Sequence, residues 1–411
     1  MATNKVLDEG HFLNKSERTQ ILHLLNRITK SSQIYPQCLE LPGVQCDLSQ
    51  FPENEGGFGY IYRGKLKGQT VCVKVVRLSP TPDDKKSKKA FRAHATEFTL
   101  WSHISHPNVL PFLGVYVSAN ELVPRICIVS PWMKFGSLAR FLESSPEAGR
   151  RILFLSDIIS GLQHLHELKI IHSDLKADNV LVSSTYRAML ADFGASRIST
   201  VTPGPSTVAD FTGTFNWMAP ELLTVMVETE VMPLPTTASD MWAFGCTCYE
   251  VLTLALIPML WPNSSVIKVM TGEIPFPEYC GPARLLRLYH AFSQLRATPS
   301  RPDEVDNDLE AVWPLLERCW HYTPEKRPSA DEAKRFFDDM EIEDNRLPAD
   351  DDDGMRLFTT LREERQSMLN KVTIDYDCVR ANLLEVQATY RETLKNVEET
   401  SACSCQCHEL A

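Results

Sequence analysis

Residues 170–182 read IIHSDLKADNVLV: apolar ends enclose a polar loop that sets a carboxylate, Asp174, and a carboxamide, Asn179, five residues apart with Lys176 between them. Downstream, AMLADFG carries Asp192 at what reads as a strand end. Hard oxygen ligands from Asn179 and Asp192 suit a magnesium ion carried on a nucleotide. Asp174 is then free to accept the proton of an attacking hydroxyl, a matter of positioning more than of strong base catalysis. A capped turn explains each residue alone, but not the three in this order.

Working back from that loop, NEGGFGYIYRG (54–64) puts glycines at 56, 57 and 59 between two runs of alternating apolar and polar residues. With no Cβ in the way, backbone N–H groups approach a polyphosphate, although a plain hairpin turn has the same composition. Lys74, in VCVKVV, lies on the strand that follows, where a cation reaches the same phosphates. Glu97, in the helical stretch FRAHATEFTLWSHI, is placed to pair with it. A solvent-facing lysine and a helix-surface glutamate are the plain alternatives. The KGQ between the two strand-like runs marks a hairpin. RICIVSPW reads as a buried strand, and from about 137 to 340 most segments have helical period. Strands gathered early and helices late predict an α+β chain in two lobes.

The whole chain is consistent with a folded protein: 411 residues, 43% hydrophobic and 23% charged. A formal net charge of −11 disfavours a binder of phosphate backbones, and no nucleic-acid motif is present. The first twenty residues lack an apolar core of signal-peptide length, which predicts a cytoplasmic location, with the nucleus open. Twelve cysteines are then expected as reduced thiols.

The ordered set of motifs resembles the eukaryotic protein kinases, nearest to the tyrosine-kinase-like group of Ser/Thr kinases. It comprises the glycine loop, VCVK, HPNVL, LHELKIIHSDLKADN, DFG, GTFNWMAPE, SDMWAFG and CWHYTPEKRPS, over about residues 50–340. The resemblance implies a two-lobed fold with the small lobe at about 50–130 and the large one at about 135–340. It also implies transfer of the ATP γ-phosphate to protein serine or threonine hydroxyls, with Mg2+ as the metal. By it Lys74 holds the α and β phosphates and pairs with Glu97, and Asp174 is the catalytic base. Asn179 and Asp192 hold magnesium, and Lys176 neutralises charge at the γ-phosphate. Lys176 and Thr214 match what Ser/Thr kinases carry.

The resemblance also assigns the nucleotide's surroundings. Asn54, Glu55, Gly56, Gly57, Phe58 and Gly59 form the phosphate-covering loop, with Asn54 where the first glycine usually stands. Ser130 is the gatekeeper and Pro131 follows it. Proline lacks an N–H, but the family uses this residue's carbonyl and the N–H of Met133, so the hinge bonds survive. Ile61 and Cys72 cover one face of the adenine and Leu181 the other. Trp101 fills a spine position where the family commonly has a smaller side chain. Glu221 and Arg327 are expected as a buried ion pair holding the activation segment. Ser173 stands where most kinases carry the arginine that couples activation-segment phosphorylation to the catalytic loop. A scaffold that binds ATP without catalysis is the alternative function.

Segments outside the motifs read as follows. Residues 16–30, within a 1–49 extension, form an amphipathic helix with Ile21, Leu24, Leu25 and Ile28 on one stripe. Residues 254–271 interrupt the kinase pattern, as an inserted docking element or, the favoured reading, an unspliced intron. Prolines 258 and 262 break that segment well short of a membrane span. Residues 341–354 read as a solvated acidic linker. Residues 355–400 read as a long helix whose heptad over 369–397 offers self-association or a return onto the kinase domain. Residues 401–411 read as a disordered cysteine-rich tail.

Overall fold

The structure is a computed structural model. It describes residues 17, 21–22, 25, 37–56, 59–75, 98–99, 101–118, 125–144, 151–192, 197–198, 215–231, 233–253, 275–279, 283–302 and 307–369. The chain divides into two compact units, Thr29–Leu361 and a second made of Met1–Ile28 with Arg362–Ala411. In the second, Glu17, Ile21, Leu22 and Leu25 are helical, and the three apolar ones are buried. Leu24, Ile28, the interrupting segment 254–271, the heptad beyond Leu369 and the cysteine-rich tail lie outside the described residues.

The larger unit begins with an antiparallel sheet of β1 (Asn54–Gly56), β2 (Gly59–Leu66), β3 (Gln69–Val75), β4 (Gly114–Ser118) and β5 (Arg125–Pro131) in the order β1-β2-β3-β5-β4. The expected KGQ hairpin is a two-residue turn at Lys67 (φ 51°) and Gly68 (φ 81°), with Leu66 facing Gln69. Two positive φ values give the twist that two paired strands need. Strand period sorts β3: Val71, Val73 and Val75 go into the core, and Cys72 and Lys74 face the other way.

Helices dominate the rest: α1 (Leu138–Ser144), α2 (Arg151–Glu167), α3 (Pro220–Thr229), α4 (Thr237–Thr253), α5 (Arg284–His290), α6 (Asn307–Cys319), α7 (Ala330–Asp339) and α8 (Asp353–Leu369). The α4 helix is buried almost all round, as expected of a helix at the centre of a helical core. Ser329 and Glu332 form a reciprocal capping box that starts α7. One small hairpin, β7 (Val180–Val182) with β8 (Ala188–Leu190), and one two-stranded antiparallel ladder, β6 (Ile170–Ile171) with β9 (Arg197–Ile198), frame the loop quoted first. This is the predicted α+β architecture of a small β-rich lobe and a larger helical one. Among the described residues no helix is long and apolar enough to cross a membrane.

The acidic stretch 341–354 differs from the spacer reading. Arg346 clamps the Asp157 carboxylate with both Nη atoms at 2.7 and 3.1 Å and donates to the Tyr186 carbonyl at 2.8 Å. Asp352 is buried. Charge runs are solvated unless fixed partners wait for them, and those partners lie about 160 to 190 residues earlier in the chain.

Candidate active site

Lys74 Nζ donates to Asp192 Oδ1 at 2.9 Å, bringing a strand lysine and the aspartate after β8 together across 118 residues of sequence. The Ala191 that precedes Asp192 is held twice. Its N–H donates to the Asn179 carbonyl at 2.9 Å, and its carbonyl lies 3.1 Å from His172 Nε2. The loop 172–179 and the Asp192 segment are therefore one bonded unit.

Inside that unit Asn179 Nδ2 donates to both Asp174 Oδ2 and the Asp174 carbonyl at 2.7 Å. Lys176 Nζ approaches Asp174 Oδ2 at 3.3 Å. Asp174 Oδ1 is buried without a hydrogen-bond partner among the described residues. A buried carboxylate oxygen left unpaired costs free energy, so its retention points to a group that arrives from outside. With both Nδ2 hydrogens engaged, Asn179 offers only its carboxamide oxygen outward. Asn179 and Asp192 thus supply oxygen donors of the kind a hard divalent cation takes, and the residues fit magnesium borne by a polyphosphate.

The loop's backbone hangs on Asp240 of α4, a residue whose role the sequence did not disclose. Its carboxylate accepts from the N–H groups of His172 (2.8 Å) and Ser173 (2.9 Å), and His166 Nε2 lies 2.9 Å from the same carboxylate. Those bonds hold Ser173 at φ 71°; Asp192 sits at φ 62°. Two left-handed non-glycine residues in one loop system are costly, about 1–3 kcal/mol each, and persist only where the surroundings enforce them. Glu250, also on α4, accepts from Ala177 N–H at 2.9 Å and from Trp217 Nε1 at 3.0 Å. Burial pushes its carboxyl up to about 8. The SDMWAFG motif marked Asp240's position, but nothing local tells what it holds.

The expected nucleotide slot is only partly described. Asn54, Glu55 and Gly56 pair with Ile61, Tyr60 and Gly59 across β1 and β2. Gly59 has φ 146°, and a Cβ there would lie 2.4 Å from the Val75 carbonyl oxygen, so only glycine fits. Gly57, Phe58 and Glu97 lie outside the described residues. Ile61 stands opposite Lys74, and Cys72 opposite Ser130, in the sheet register. Burial raises the Cys72 thiol to about 11, so it presents a neutral surface. Leu181 stands on β7 opposite Met189, and Ser130, Pro131 and Met133 are buried at the exit of β5.

Supporting this site, Arg327 holds Glu221 with both Nη atoms at 2.7 Å and donates to the carbonyls of Ala238 and His321. Trp101 is buried, with Nε1 donating to the Leu110 carbonyl at 2.6 Å.

A family profile described as protein tyrosine and serine/threonine kinase matches residues 54–337. The chain is 31% identical over 294 residues to the serine/threonine/tyrosine-protein kinase HT1 of Arabidopsis thaliana, covering 69% of this chain and 64% of that protein. It is 29% identical over 276 residues to mitogen-activated protein kinase kinase kinase 13-A of Xenopus laevis, 67% of this chain and 23% of the relative. To mitogen-activated protein kinase kinase kinase 13 of Mus musculus it is 28% identical over 355 residues, 83% and 34% of the two chains. The chain thus spans less than two thirds of the length of each of these relatives. With the profile covering the small lobe, the catalytic loop and the large lobe, this chain belongs to the protein tyrosine and serine/threonine kinase family.

Proposed function

We propose that the protein is an ATP-dependent serine/threonine kinase of the tyrosine-kinase-like group that phosphorylates protein substrates. The observation that carries the reading is Asp174 Oδ1, buried beside Lys176 and Asn179 with no hydrogen-bond partner among the described residues. Magnesium-bound ATP supplies the transferable γ-phosphoryl group and the cation that neutralises its charge. Asp174 orients the acceptor hydroxyl and takes its proton at Oδ1, while Asn179 holds Oδ2. Lys176 lends positive charge on the side of the transferring group. Asn179 and Asp192 provide the metal's oxygen ligands, and Lys74, tied to Asp192, engages the non-transferred phosphates. Ile61, Cys72 and Leu181 enclose the adenine between the lobes, with the Pro131 carbonyl and the Met133 N–H as hinge partners. The binding-only scaffold has no observation that favours it.

The test is phosphate transfer by the purified full chain with magnesium, ATP and a generic protein acceptor. Asp174→Asn keeps the Asn179 contact but loses the proton acceptor, and incorporation is expected to fall by about 10²- to 10⁴-fold. Equal incorporation by variant and wild type overturns the proposal. Nucleotide binding without transfer by the wild type assigns the chain to the scaffold class. Phosphoserine and phosphothreonine among the products, without phosphotyrosine, are the expected specificity.

A further inference from the structure

The family match ends at residue 337, yet the structured chain continues from there to the hinge of the nucleotide slot. On the large lobe the extension has three attachments. Arg346 grips Asp157 of α2, and Arg187 after β7 donates to Asp344 and, at 3.2 Å, to the Leu347 carbonyl. Asp352 Oδ2 accepts from Ser184 twice, from its N–H at 3.0 Å and its Oγ at 2.6 Å. On the small lobe Leu357, Phe358 and Leu361 are buried in one cluster with Tyr62 and Leu66 of β2, Val71, Val73 and Val75 of β3 and Val129 of β5.

Between these anchors lies Gly354. A Cβ added to it would lie 2.4 Å from Pro131 Cβ and 3.0 Å from Pro131 Cγ. Helix propensity disfavours glycine against alanine inside a helix, and Gly354 falls in the first turn of α8. Its φ is not in the left-handed region, so close approach to the hinge is the physical reason for the missing side chain. The attachment points also coincide with the slot's walls. Ser184 follows the β7 strand that carries Leu181, and the apolar cluster lies on the strands that carry Ile61, Cys72 and Ser130.

We propose that residues 344–361 are an interlobe strap that positions the hinge and both walls of the adenine slot, with Asp352 its large-lobe anchor and Gly354 its contact on Pro131. The strap runs beside the hinge, so the separation of the lobes is set by two connections and not by one. Gly354, Asp352 and Phe358 are positioning residues that act on nucleotide affinity through Pro131 and the small-lobe sheet. The assignment rests on the phosphotransfer reading only for its kinetic readout, because nucleotide binding reports it independently.

The test compares full-chain wild type, Gly354→Ala and Asp352→Ala for the Kd of magnesium and a non-hydrolysable ATP analogue, for KM of ATP and kcat, and for melting temperature. Gly354→Ala is expected to raise Kd and KM on the order of tenfold with kcat changed less than about twofold. In a Pro131→Gly background, where the Pro131 Cβ and Cγ are gone and only Asp352 Oδ1 remains, at 3.0 Å, the same alanine is expected to have a clearly smaller effect. Asp352→Ala is expected to weaken analogue binding in the same direction. Unchanged Kd in both variants overturns the strap, as does a drop in melting temperature with Kd unchanged, which marks a contact of stability alone. An alanine effect undiminished by Pro131→Gly overturns the assignment of Gly354. If wild type binds the analogue but transfers no phosphate, the kinase reading fails while the Kd comparison still decides the strap.

Discussion

By the kinase resemblance Ser173 is expected where most kinases carry an arginine, and its surroundings say what the loop needs from that place. The backbone N–H goes to Asp240 at 2.9 Å whatever the side chain is, and the Oγ is buried with no hydrogen-bond partner among the described residues. A serine carries no cation to pair with a phosphate, so the coupling that the resemblance assigns to an arginine there is expected to be absent. Turnover of the purified enzyme is therefore expected to change by less than about tenfold, some 1.4 kcal/mol of barrier, on phosphatase treatment. Ser173→Arg, assayed alongside, supplies the cation for comparison. A tenfold or larger loss in wild type contradicts this reading. The candidate catalytic set was legible because Asp174, Lys176 and Asn179 fall within one short loop, where spacing is geometry. Asp240 was not, because its partners lie 67 and 68 residues earlier.

At the scale of elements, the segment Phe215–Trp217 and α3 are tied to the large lobe by buried polar side chains. Arg327 has no exposed side-chain surface, satisfies Glu221 with a two-pronged contact and lies over the Trp242 ring at 5.2 Å. Arg327→Ala leaves the half-buried Glu221 without its partner and the carbonyls of Ala238 and His321 without their donor, and is expected to cost about 1–3 kcal/mol, read as a lower melting temperature or as aggregation. An unchanged melting temperature contradicts the pairing. The sequence resemblance anticipated this pair. It gave no account of Glu250, which ties Ala177 of the catalytic loop to Trp217 beyond the activation segment and is held toward its neutral form by burial. No periodicity distinguishes a buried glutamate from the surface ones.

Across the whole molecule, the small lobe is completed from beyond the family's end. Leu357, Phe358 and Leu361 close the open face of a sheet whose own strands cannot cover Val71 and Val73. Phe358→Ala is expected to lower the stability of the full chain by about 3–5 kcal/mol, measured by denaturant unfolding, as for a core phenylalanine. A change under about 0.5 kcal/mol, typical of surface positions, would mean the helix merely rests on the lobe.

What the sequence determined by itself is everything carried by local spacing: the glycine turn, the alternation that turns Lys74 away from the core, and the carboxylate and carboxamide of the catalytic loop. It also separated the strand-rich from the helix-rich half, because strand and helix periods differ within a single segment. Tertiary structure alone decided that Lys74 meets Asp192, that Asp240 and Glu250 hold the loop from below, and that an acidic stretch read as spacer is clamped to the large lobe and leads into a helix packed on the small one. The hydrogen bonds among these contacts join positions from 67 to 189 residues apart, and the apolar cluster joins positions farther apart still. A charged side chain carries no local mark of its partner, since pairing across such distances depends on how the lobes pack and not on any pattern along the chain.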